Sequence, residues 1–221
     1  MTVLYEDNHV IIVNKESGEI VQGDKTGDVP LSDIVRQWIK EKHAKPGNVF
    51  LGVVHRLDRP VSGVVVFAKT SKALARLNAM FANHEEVRKT YWALTAQRPP
   101  EDEGTLTHWL VRNEKQNKSY AYDKEVRGAK KATLRYRVAG RTERYWLVEV
   151  ELLTGRHHQI RCQLAKMGCP IKGDLKYGAR RSNPDGSISL VAREIEFTHP
   201  VSKERIRVTA PLPEAFRRLG V

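Results

Sequence analysis

Asp58 lies between two arginines in the run His55-Arg56-Leu57-Asp58-Arg59. An apolar stretch leads in, Val49-Phe50-Leu51-Gly52-Val53-Val54, and another leads out, Gly63-Val64-Val65-Val66-Phe67-Ala68. The spacing predicts a polar loop at the end of two buried strands, a usual place for functional groups on a rigid scaffold. Nearby cations favour the charged form of a carboxylate. Such a group serves either as a structural ion pair or as a reactive one, and the local residues leave both readings open.

Two further segments carry chemistry. Thr154-Gly155-Arg156-His157-His158-Gln159-Ile160-Arg161 reads as a helix start, where backbone N–H groups favour anions. Helical spacing would put His157, His158 and Arg161 on one side. An arginine there can grip a carboxylate or phosphate through two bonds. The plainer reading is a surface helix with basic decoration. Arg88-Lys89-Thr90-Tyr91 opens a strand, and a tyrosine in that place can stack on a base or pass a proton. His158 and Cys162 have i,i+4 spacing, but with Cys169 they complete no zinc motif.

The elements that must position these groups are mostly short strands. Val10–Val13, residues 91–96, 132–138, 145–152, 188–197 and 205–209 are strand candidates. In 132–138 and 145–152 apolar and polar residues alternate, the mark of half-buried antiparallel strands. Three helices are expected. Ser32 caps one with Ile34, Val35, Trp38 and Ile39 inward. Thr70 or Ser71 caps a second with Leu74, Leu77 and Phe81 inward. Thr154 caps a third with Ile160, Leu164 and Met167 inward and Gly168 at its end. This pattern predicts an α+β fold, a mixed and largely antiparallel sheet with a few flanking helices, in a single domain over residues 1–221.

Composition narrows the partners. Lys and Arg number 38 against 26 acids, a formal charge of +12 that suits a polyanion. Residues 112–144 hold eleven basic and four acidic residues, with Tyr120, Tyr122 and Tyr136 among them. That mixture suits phosphates and stacked bases. No segment has the length of a membrane span or the pattern of a signal peptide, so a cytoplasmic protein is expected. Two cysteines do not make a disulfide framework.

Taken together, the motifs resemble the RluA-type pseudouridine synthases. His55-Arg56-Leu57-Asp58-Arg59-Pro60-Val61-Ser62-Gly63 with Ala68-Lys69 is similar to that family's signature, and Lys89-Thr90-Tyr91 to its Lys-x-Tyr. Thr154-Gly155-Arg156 through Arg161 resembles its second block. Gly168-Cys169-Pro170-Ile171 with Gly173-Asp174 and Tyr177-Gly178 resembles a third. Tyr5-Glu6-Asp7 through Asn14-Lys15 resembles its opening strand. Val61, His157, Cys169 and Val191 depart from the usual residues, which bears on substrate preference.

The resemblance implies an RNA pseudouridine synthase catalytic fold without an N-terminal S4-like domain. It implies RNA, either rRNA or tRNA, as partner, a monomer, and no metal or organic cofactor. Forming pseudouridine breaks the uridine N1–C1′ bond and joins C5 to C1′. Asp58 is then the catalytic carboxylate, acting on C1′ or on a ribose proton. Arg161 pairs with it and orients it. Tyr91 packs on the base and helps remove the C5 proton. Arg56 fills the space of a flipped nucleotide. Leu57 and Ile171 line the pocket, and His55, Arg59, Arg156 and His158 contact substrate. The alternative is a non-catalytic RNA-binding or ribosome-assembly protein on the same fold.

Overall fold

Apolar runs in this chain are short and punctuated by turn residues, which favours strands over long helices. A computed structural model describes residues 1–83 and 86–221. In chain order the elements are β1 (Thr2–Glu6), β2 (Val10–Lys15), α1 (Leu31–Lys42), β3 (Gly52–Val53), β4 (Ser62–Ala68) and α2 (Ser71–Ala82). Next come β5 (Val87–Thr95), β6 (Glu103–Asn113), β7 (Lys118–Tyr122), β8 (Lys130–Arg141), β9 (Trp146–Leu152) and α3 (Gln159–Lys166). A 3-10 turn (Leu175–Tyr177), β10 (Leu190–Thr198), β11 (Arg205–Thr209) and α4 (Glu214–Arg217) follow. No helix is long and apolar enough to cross a membrane among the described residues. The chain divides into two units, one of residues 1–87 with 194–211, the other of residues 88–193 with 212–221.

In the first unit β2 pairs antiparallel with β1 and with β4. Every residue of β2 and of β4 is buried, the polar Asn14 and Lys15 at the end of β2 included. Their side chains pack with Leu77 and Phe81 of α2 and with Phe197 and Val208 of the β10–β11 hairpin. Thr70 caps α2 by accepting from the Ala73 N–H at 3.1 Å. The expected strand before Asp58 shrinks to the two residues of β3, and Phe50 is exposed. In α1 the inward residues are Leu31, Val35 and Ile39. Ile34 points outward, and Ser32 lies inside the helix behind Pro30 rather than capping it.

In the second unit β5, β9, β8, β6 and β7 form antiparallel neighbours in that order. Register separates two faces. Tyr91, Val150 and Tyr136 lie in one row, on the face that also buries Leu134 and Leu152. Helix α3 covers the same face, with Cys162 and Ala165 against Leu110, Ala132 and Ala121. Thr90, Glu151 and Arg135 lie on the opposite face. The β6–β7 hairpin has no counterpart in the sequence-based expectation. Helix α3 starts at Gln159, five residues after the cap expected at Thr154. The Thr154 hydroxyl instead joins Gln159 Oε1 at 2.8 Å and receives the Thr133 N–H at 2.9 Å.

Removing the cap at α2 should be visible in bulk stability. Thr70→Ala is expected to lower the free energy of unfolding by about 1 kcal/mol. Equilibrium urea denaturation checks this, and Thr70→Ser should keep most of the wild-type stability.

Candidate active site

The Asp58 loop is built around a buried lysine. Lys15 ends β2, and its side chain is fully inaccessible. Its ammonium donates to the carbonyls of Glu16 at 3.0 Å, Arg59 at 3.1 Å and Val61 at 2.6 Å, which uses all three of its hydrogens. The Arg59 carbonyl also accepts from Gly18 N–H, and Val61 N–H closes a turn onto the Asp58 carbonyl. The backbone on the C-terminal side of Asp58 is therefore tied from three directions. On the N-terminal side, His55 Nε2 accepts the Val66 N–H at 3.0 Å, and its ring packs 5.0 Å from Phe81. Burial pulls Lys15 down to about 8, against the opposing pull of Glu19 and Asp58.

Within this loop the residues divide by environment. Leu57 is buried, Asp58 is half-buried and Arg56 is exposed. Arg59 turns to the 24–28 segment, donating to Asp28 at 2.6 Å and to the Thr26 hydroxyl at 2.9 Å. Arg59 therefore braces a neighbouring loop.

The second unit gathers Arg161, Asp174, Tyr177 and His158. Arg161 donates from Nε and Nη2 to the two Asp174 oxygens at 2.7 and 2.9 Å, with both side chains buried. Its guanidinium carbon lies 5.1 Å from the centre of the Tyr177 ring. The Tyr177 hydroxyl accepts the Ser119 N–H at 2.8 Å and is 2.9 Å from His158 Nδ1. Burial, reinforced by Arg161, holds His158 down to about 2, so it is neutral across the physiological range. His158 also takes a left-handed backbone with φ 52°, unusual for a residue with a side chain. That kink is why helical spacing fails for His157 and His158. Their rings stack directly, with centroids 3.8 Å apart.

Tyr91 is buried on β5, on the same face as Lys89 two residues earlier. Burial pulls Lys89 down to about 8. Ile171 is fully buried and bridges to Thr95 on the same strand, with Lys172 N–H donating to the Leu94 carbonyl. Arg156 is exposed, and its Nε donates to the Lys131 carbonyl at 3.2 Å. The departures Val61, Cys169 and Val191 are all buried. Sequence reasoning missed Lys15 and Asp174 as positioning groups. The signal was present for Asp174, in Gly173-Asp174 and Tyr177-Gly178, where Gly173 has φ +89° and a Cβ would sit 2.8 Å from the Ser187 carbonyl.

Two outcomes follow from these buried charges. Between pH 8 and 10.5 the unfolded chain keeps a Lys15 proton that the folded chain has released, so stability rises with pH there. Below pH 8 both states hold it and the contribution is flat. Lys15→Met is expected to reduce that slope by about 1.4 kcal/mol per pH unit, while lowering stability at pH 7 because three carbonyls lose their donor. Unfolding curves from pH 7 to 10 read both effects. Asp174→Asn strands the Arg161 charge and should cost about 3–5 kcal/mol by the same measurement.

The RNA pseudouridylate synthase family matches residues 9–166. Ribosomal large subunit pseudouridine synthase D of Xanthomonas campestris is 33% identical over 99% of this chain and 68% of its own length. The tRNA pseudouridine synthase C of Vibrio cholerae is 30% identical over 99% of this chain and 94% of its own. The structure of human RNA pseudouridylate synthase domain containing 4 superposes with a TM-score of 0.81 at 25% identity, covering 98% of this chain and 90% of that one. A tethered Asp58 turn, a buried arginine at the head of α3 and the match over most of the chain lead to one assignment: this chain belongs to the RNA pseudouridylate synthase family and is an RNA pseudouridine synthase.

Proposed function

We propose that this protein converts specific uridines of structured RNA, rRNA or tRNA, to pseudouridine in the cytoplasm, with Asp58 as the catalytic carboxylate. The observation that carries the reading is the Asp58 turn, held by the Lys15 ammonium through the Arg59 and Val61 carbonyls. A reacting carboxylate must be held in place while the base detaches and turns, and a turn tied on both sides supports that.

Asp58 either bonds to C1′ as N1 departs or removes a ribose proton. In both cases the detached uracil stays bound and turns; C5 then bonds to C1′ as the Asp58 ester breaks or as the ribose proton is returned, N1 takes up a proton and the C5 proton is lost. Arg161 orients Asp58. Tyr91 packs on the uracil and assists loss of the C5 proton, with Leu57 and Ile171 as apolar walls. Arg56, exposed beside Asp58, occupies the space vacated by the flipped nucleotide. His55, Arg156 and His158 hold the surrounding backbone and phosphates. Arg59, engaged by Asp28, supports the loop from outside. The whole chain works as one catalytic domain and as a monomer.

Asp58→Asn is expected to abolish tritium release from RNA carrying 5-tritiated uridine, with RNA affinity nearly unchanged. Conversion persisting in that variant would remove Asp58 from the reaction. Wild-type protein that binds RNA but releases no tritium from total rRNA or tRNA would favour the non-catalytic reading.

A further inference from the structure

The second unit shows a surface that the catalytic reading does not use. Register on β6, β7 and β8 sets Tyr122 beside Trp109 and Trp109 beside Lys131, in one row on the face away from α3. The next row sets Tyr120 beside Val111. Tyr120 and Tyr122 are 38% and 42% exposed, a large value for aromatic rings on a strand. Val126, in the loop that follows, is 37% exposed. Tyr136, counted with these tyrosines from the sequence, is buried on the other face, while Trp109, outside that basic stretch, joins them.

Cations surround the rings. The Lys118 ammonium lies 5.5 Å from the centre of the Tyr120 ring. Lys131 shares the row of Trp109, and Lys124 and Arg127 are exposed on the turn before β8, whereas Lys130, opposite Leu110, lies on the α3 face. Of the acids nearby, Asp123 is drawn away to Lys166 at 3.0 Å. Tyrosines two apart on one strand present their rings about 7 Å apart. That interval suits successive bases of an extended strand, each with an open π-face. A duplex offers no such open faces, because its bases are already stacked. A protein partner fits less well, since lysines are depleted from the centres of protein interfaces.

We infer that the outward face of β6, β7 and β8 is a stacking platform for unpaired nucleotides of the RNA substrate, on the opposite sheet face from Tyr91. The inference rests on the proposed action on RNA, and it adds a grip that reads single-stranded regions outside the reacting uridine.

The experiment is fluorescence anisotropy with an end-labelled single-stranded oligouridylate and a blunt RNA duplex of equal length. Tyr120→Ala with Tyr122→Ala should weaken binding of the single strand by about thirtyfold or more, with little effect on the duplex. The salt slope should not change, because no charge is removed. Tyr120→Phe with Tyr122→Phe should bind like the wild type, and equal thermal midpoints for the two pairs exclude misfolding. Lys118→Gln with Lys131→Gln should instead lower the salt slope by about 1.4. Wild-type affinity in the alanine pair, or equal loss for strand and duplex, would overturn the platform. Tritium release by the wild type is scored separately. If it proceeds while the alanine pair binds normally, the platform fails and the proposed function stands. If the wild type releases none, the proposed function fails instead.

Discussion

Burying a cation costs several kcal/mol unless its hydrogens are satisfied, and this protein does so beside both halves of its candidate machinery. Lys15 is wholly inaccessible and Arg161 nearly so. Each is satisfied in one geometry only. Lys15 needs three carbonyls, two of them contributed by the turn after Asp58. Arg161 needs both oxygens of Asp174 in the plane of its guanidinium. The same demand that makes these cations costly makes them rigid locators. A surface lysine could tolerate a shift of an ångström in the Asp58 turn, since water would replace a lost acceptor. Lys15 cannot, because no solvent reaches it.

The Arg161 site extends the principle through neutral groups. Tyr177 packs beneath the guanidinium, and its hydroxyl accepts the Ser119 N–H and is hydrogen-bonded to His158 Nδ1. Arg161 in turn helps keep His158 uncharged. A second cation against the first is thereby avoided. The left-handed backbone at His158 places its ring against Tyr177 and stops α3 from continuing backward toward Thr154. A strained residue that sets a helix start fits the tendency of such outliers to gather at working sites.

Much of this was legible in the sequence where a local pattern records the environment. Strands β8, β9 and β11 announce themselves because one face is apolar and the other charged, and Thr70 announces α2. The Asp58, Tyr91 and Arg161 motifs stood out for their residue types. Other parts were not legible. The inward face of β6 includes His108, and its outward face includes Trp109, so alternation is blurred. Helical periodicity around Thr154 was real, but a kink at His158 delayed the helix. Lys15 lies in an apolar strand, yet its acceptors are 44 and 46 residues away. No local pattern records a burial that only the fold completes. The tyrosines divide for the same reason. Tyr136 and Tyr120 look alike in composition, and only strand register puts them on opposite faces.

That division of faces also partitions charge. On the outward face of the second unit, Glu151 meets Arg88 and Arg135, and Glu149 meets Arg137 at 2.8 Å. Exposed pairs of this kind add little to stability. Their larger consequence is electrostatic. Glutamates offset the arginines along β5, β9 and the middle of β8, so that part of the face is nearly neutral. Toward β6 and β7 the acids give way to Lys131 and Lys118, with the cationic 124–130 loop beside them. A polyanion approaching this face is therefore drawn to the end that carries Trp109, Tyr120 and Tyr122. The inward face is arranged otherwise, with Tyr91, Val150 and Tyr136 excluding water and buried cations on its margins. One sheet thus has a dry face and a wet, basic face, with strand alternation as the barrier between them.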